Sequence, residues 1–122
     1  MNSGPTPSDG VFRFMADLEE EGCIPARCGD VVRYDVVPAA GRYAGQIVLT
    51  GVSVSELQGW PAIPPHWIHL QAEVTFASTN HDSQDCPEGW HRHSRDVGQW
   101  VMDRAPILIW LSHARCVIGQ AI

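Results

Sequence analysis

Hydrophobic positions along this chain change period several times, and each change marks an element. From Gly10 onward Val11, Phe14/Met15 and Leu18 recur at helical spacing, which predicts a short amphipathic helix stopped at Gly22. The acidic run Glu19-Glu20-Glu21 is read as the solvated end of that helix, although three carboxylates there oppose the macrodipole. Cys23 to Gly29 reads as a connector, Val31 to Val37 as a strand, and Pro38 to Gly45 as a turn region. Gln46 to Val54 reads as a second strand, within which Gly51 suggests a bulge or bend. The third strand has a strict period of two. Ile68, Leu70, Ala72, Val74 and Phe76 fall on one side, and His69, Gln71, Glu73 and Thr75 on the other, which predicts an antiparallel meander with one wet face. Ala77 to Ser94 is polar and without period; a loop of that length in a small domain is functional or disordered. Asp103 to Ile118 returns to helical spacing, with Asp103 as cap, Pro106 in the first turn, Ile107, Trp110/Leu111, Ala114 and Ile118 as the buried stripe, and Gly119 as the stop. A helix, three or four strands, a long loop and a helix make an α+β order.

At 122 residues the chain has room for one core. Residues 1–9 read as a flexible lead-in and residues 10–122 as a single domain. The formal charge of −6 and the lack of any Arg/Lys cluster argue against nucleic acid or anionic lipid as a partner. No apolar stretch reaches membrane-spanning length. The first nine residues carry neither a positive charge nor an apolar run, so the expected address is cytoplasmic, with the four cysteines kept as thiols. All eight basic residues are arginine. A protein that carries an activated acyl group gains by having no lysine amine of its own; arginine-for-lysine bias in a GC-rich bacterial genome is the alternative.

The chemistry concentrates around Cys86. Gly59-Trp60-Pro61-Ala62-Ile63-Pro64-Pro65 precedes the third strand, and Cys86 follows Pro61 by 25 residues. That layout resembles the ubiquitin-conjugating enzymes, in which an aromatic-Pro-x-x-Pro-Pro segment leads into a strand and then into the active-site loop. More narrowly, Gly89-Trp90-His91-Arg92-His93-Ser94-Arg95 looks like the motif of bacterial members of that superfamily, which occur in antiphage operons beside an activating enzyme and a ubiquitin-like protein. The resemblance implies a first helix, a four-stranded meander, an active-site loop and a crossover helix. It implies that Cys86 accepts a ubiquitin-like modifier from the activating enzyme as a thioester and passes it to an amine on a target protein. It also matches Asn80 to the family's oxyanion-stabilising asparagine. The chain departs from the eukaryotic pattern, having Thr79-Asn80-His81 in place of His-Pro-Asn and Pro87-Glu88-Gly89 after the cysteine.

Acyl relay needs a thiolate, or a thiol beside a base. His81, His91 and His93 lie within seven residues of Cys86, and Arg92 and Arg95 add positive field. Asp82 and Asp85 disfavour the thiolate, yet a carboxylate there can take the proton of an incoming amine. The candidate catalytic set is therefore Cys86, Asn80, His81 and Asp85, with Asp82, His91 and His93 as alternatives within the loop. No cofactor and no metal are expected. A zinc site drawing on Cys23, Cys28, Cys86, His91 and His93 is the weighed alternative, but Cys-x4-Cys and His-x-His fit no strong zinc pattern, and Cys116 reads as a small buried thiol of the last helix. Trp90 and Trp100 read as packing residues. A non-catalytic adaptor with the same fold is the other competing function.

Overall fold

The computed structural model describes residues 7–77, 80–101 and 104–122, with side chains from residue 10 onward. Helix α1 (Pro7–Glu20) leads, followed by strands β1 (Ala26–Cys28), β2 (Val31–Val36) and β3 (Val48–Ser53), a 3₁₀ turn (Val54–Leu57), β4 (Trp67–Gln71), β5 (His81–Asp82), β6 (Trp90–Ser94) and helix α2 (Pro106–Ile118). The architecture is α+β. The strands form one six-stranded antiparallel sheet in the order β1-β2-β3-β4-β6-β5.

Side chains directly opposite each other in antiparallel pairs share a face, so the register sorts the sheet into two surfaces. On the first lie Val32 with Val52, Tyr34 with Thr50, and Val36 with Val48; Thr50 continues to Leu70, and Ile68 meets His93. This apolar face receives both helices. Val11, Phe14 and Leu18 of α1 and Ile107, Trp110, Leu111, Ala114, Val117 and Ile118 of α2 are buried in the same core. Phe14 meets the Tyr34 ring edge-on at 5.8 Å, and Trp110 donates its indole N–H to the Tyr34 hydroxyl at 2.9 Å. The second face carries Arg33, Gly51, His69, Arg92 and Asp82 as one row across β2, β3, β4, β6 and β5.

The helix positions follow the periodicity, with small shifts. α1 begins at Pro7 and ends in the left-handed turn at Gly22. Gly10 is required by packing: a Cβ there would stand 1.8 Å from the Leu57 carbonyl oxygen, so α1 crosses the 3₁₀ turn at backbone distance. α2 starts on Pro106 after Ala105, which has extended backbone and makes no side-chain cap bond. The expected cap Asp103, like residues 1–6 of the lead-in, lies outside the described residues. Cys116 is exposed, contrary to the expected buried thiol, because it falls off the stripe defined by Ala114, Val117 and Ile118.

The β region departs further. Ala26–Cys28, expected as connector, pairs with β2. Gly51 makes no bulge, since the register runs through it from Arg33 to His69. Its missing Cβ instead permits close approach, 3.0 Å from the Val31 Cγ1 and 3.3 Å from the His69 Cβ. β4 ends at Gln71 rather than running to Phe76, and the Val74 amide closes a turn onto the Gln71 carbonyl at 2.9 Å. Most of the expected irregular loop is the β5–β6 hairpin, which adds to the free edge of β4. Pairing outweighs propensity here: an open β4 edge offers unpaired N–H and C=O groups that the polar segment 90–94 satisfies. No helix among the described residues is long and apolar enough to cross a membrane.

Candidate functional site

The proline segment fixes the approach to β4. Trp60 is buried; its ring packs edge-on against Phe14 at 4.8 Å and its indole N–H donates to the Asp17 carboxylate at 3.0 Å. Trp100 lies 5.6 Å from the Trp60 ring and donates to the Pro61 carbonyl at 2.9 Å. Glu56 accepts from the His66 amide at 2.9 Å. Helix α1, the 3₁₀ turn and the segment before α2 thus hold one end of β4, and Trp100 packs as expected. Trp90 is buried too, but on the second face, where the Arg33 guanidinium sits 4.5 Å over its ring.

Beyond β4 the hairpin turn folds back over the second face. The Asp82 carboxylate accepts the Gln84 amide at 2.9 Å, and the Cys86 amide donates to the Ser83 carbonyl at 3.1 Å. Asp85 takes the left-handed conformation, with φ of 59°, one of the few non-glycine types that does so at modest cost. A single arginine clamps this turn. Arg92 binds Asp82 through two nitrogens at 2.7 and 3.3 Å, donates to Gln84 at 3.1 Å, and lies 3.8 Å from Asp85. Its guanidinium stacks 4.0 Å over the Trp67 ring. The pairing holds the Asp82 carboxyl below its usual range.

The clamped turn brings the half-buried Cys86 thiol to His69. Sγ lies 3.6 Å from His69 Nδ1, and His69 Nε2 lies 3.1 Å from the Ser53 hydroxyl. His69, expected on the wet face, is 0 % exposed because the turn covers it. Burial first, then the Arg92 guanidinium, pull its pKa down to about 4, so the imidazole is neutral at pH 7. Burial also pushes the Cys86 thiol up, against the opposing field of Arg92. The resting pair is a neutral thiol against a neutral imidazole, with a hydroxyl behind it. That line can move a proton off sulfur as the sulfur attacks. An open groove of about 490 Å³, lined by Asp30, Ser53, Val54, Ser55, Gln58 and Asp85, runs beside it.

The other candidates are placed differently. Asp85 adjoins Cys86, exposed. Asn80 precedes β5, exposed, its carbonyl accepting the Ser94 amide at 2.9 Å. His81 stacks on His91 and His93 at ring distances of 5.2 and 5.3 Å; the register puts His91 and His93 on the helix-bearing face, away from Cys86. The structure therefore does not bring these three histidines to the thiol. Nor does it assemble the alternative zinc set: among the described residues no group of three or more His, Cys, Asp or Glu side chains could hold a metal ion. His69 and Ser53 as parts of a site are what the periodicity concealed, whereas Arg92 is among the residues expected to add positive field there. The available signal was a histidine between Ile68 and Leu70, on a strand running directly into the cysteine-bearing segment. No protein-family model matches the chain, and no curated protein or solved structure gives a significant match.

Proposed function

We propose that this chain is a conjugating enzyme of the ubiquitin-like type, carrying its modifier as a thioester on Cys86. The observation that carries the proposal is the 3.6 Å approach of Cys86 Sγ to a buried imidazole nitrogen, at the end of a turn held in place by an ion pair. A thiol is both a good nucleophile and a good leaving group, which acyl relay between proteins requires. The order of elements supports the same reading in part: a first helix, strands β1 to β4 with the proline segment between β3 and β4, a cysteine turn and a closing helix agree with it, whereas β5 and β6 on either side of that turn extend the expected four-stranded meander to six strands. In this role the chain takes the modifier from an activating enzyme and delivers it to an amine of a target protein, within a bacterial antiviral operon. Asp85, next to Cys86 in the chain, is suited to orient the acceptor amine.

One observation favours a second reading, a non-catalytic adaptor of similar fold: burial pushes the Cys86 thiol up, leaving little thiolate at neutral pH. Co-expression with an activating enzyme and its modifier separates the two. A band shift removed by reductant in wild type and retained as an oxyester in Cys86→Ser is the expected result. No shift, while the activating enzyme charges itself, leaves the adaptor.

A further inference from the structure

We propose that His69 is the proton acceptor and donor for Cys86, and that Ser53 is its positioning residue. Both ring nitrogens of His69 are engaged, Nδ1 toward Cys86 Sγ at 3.6 Å and Nε2 toward Ser53 Oγ at 3.1 Å. When Nε2 carries the proton and donates it to Ser53, the Nδ1 lone pair faces the sulfur. Gly51 makes room for this alignment, because the strand between Arg33 and His69 presents no side chain. The charged groups around the ring are Arg33 from β2, Arg92 from β6, Asp82 from β5 and Asp85 from the turn. With the ring buried, the two guanidiniums outweigh the two exposed carboxylates, and the imidazole rests neutral with its lone pair available.

The role rests on reading Cys86 as an acyl carrier, and its steps balance. In capture, Sγ attacks the carbonyl carbon of the donor thioester, the Cys86 S–H bond breaks and Nδ1 takes the proton. The donor C–S bond then breaks, and the departing thiolate recovers that proton from Nδ1. In delivery, the acceptor amine attacks the Cys86 thioester, its surplus proton passes to Nδ1, and Sγ leaves and is reprotonated. Each half-reaction returns His69 to its starting state. The loop histidines His81, His91 and His93 take no part.

The test is the pH profile of Cys86 modification by iodoacetamide, quantified on the Cys86 peptide by mass spectrometry so that Cys23, Cys28 and Cys116 do not contribute. Wild type is expected to hold a plateau from a pH of about 4 to the ionisation of the thiol itself. His69→Gln, whose amide can still meet Ser53, is expected to lose the plateau, rise with pH, and react about 10²-fold more slowly at pH 7. Ser53→Ala is expected to keep the plateau at a lower rate. Identical profiles for wild type and a folded His69→Gln overturn the role of His69, and an unchanged rate in Ser53→Ala overturns that of Ser53. Imidazole nitrogen NMR of the wild type gives a check independent of any variant: a proton on Nε2 is expected, and a proton on Nδ1 overturns the proposal. Charging by the activating enzyme separates the two levels. A relay profile without charging supports the relay and counts against the carrier role, whereas equal charging of wild type and His69→Gln with identical profiles does the reverse.

Discussion

A histidine buried away from water, with arginines near it, binds its proton only at a pH well below that of an imidazole in water. For His69 the folded pKa is about 4, against about 6.5 in an unfolded chain. Between these values the unfolded chain binds a proton that the folded chain does not. The stabilisation is thus complete above about pH 6.5 and is lost as pH falls toward 4. His93, also lowered to about 4 by burial and by its neighbours His81, Arg95 and His91, adds in the same window. The urea midpoint is expected to fall steadily from pH 7 to 4.5, by the equivalent of on the order of 2 kcal/mol for each of the two histidines. His69→Gln should flatten part of that slope; a midpoint constant over the range would contradict the buried neutral state. His69 was not legible as a site residue, because a period of two states which residues share a face and says nothing about what covers it. Cys86 could be singled out as a candidate, because the proline segment before it is a local sequence pattern.

At the scale of elements, the β5–β6 hairpin stands or falls with Arg92. Replacing it with methionine keeps a flexible stem over Trp67 and removes the bonds to Asp82 and Gln84. The Asp82 carboxylate is exposed, so the expected cost in global stability is small. The local effect should be larger: faster hydrogen exchange across the Gln84–Gly89 amides, and a Cys86 thiol more open to alkylation at high pH. Unchanged exchange there would mean that the turn holds Cys86 without the clamp. Helix α1 offers a sharper case. Gly10→Ala drives a Cβ into the Leu57 carbonyl, and backbone can yield only by moving the helix or the 3₁₀ turn. A loss of about 2 kcal/mol or more in urea unfolding is expected. Both helices were legible, since their stripes lie within one stretch of chain. The hairpin was not: Trp90-His91-Arg92-His93 has no apolar period, and it becomes a strand because β4 leaves an edge beside it.

Across the whole molecule, the helices and the sheet's first face meet at Tyr34. Tyr34→Phe leaves the Trp110 indole N–H buried without its acceptor, at an expected cost of about 1–3 kcal/mol. Adding Trp110→Phe removes the orphaned donor as well, so a double-mutant cycle should show a coupling that two independent core substitutions lack. Strict additivity would deny the hydrogen bond a role in docking α2. The division of labour between the two faces explains what the amino-acid order determined by itself and what it did not. Periodicity determined the α+β class, the two helices with their buried stripes, and the strand that runs from the proline segment toward Cys86, because each depends on neighbours a few residues apart. Tertiary structure alone decided that the second face is covered, that Arg92 secures the covering turn, and that Cys86 rests on His69 and, through it, on Ser53. Those partners lie 17 and 16 residues apart in pairs, and strand pairing, with no local pattern to announce it, brings them into one line.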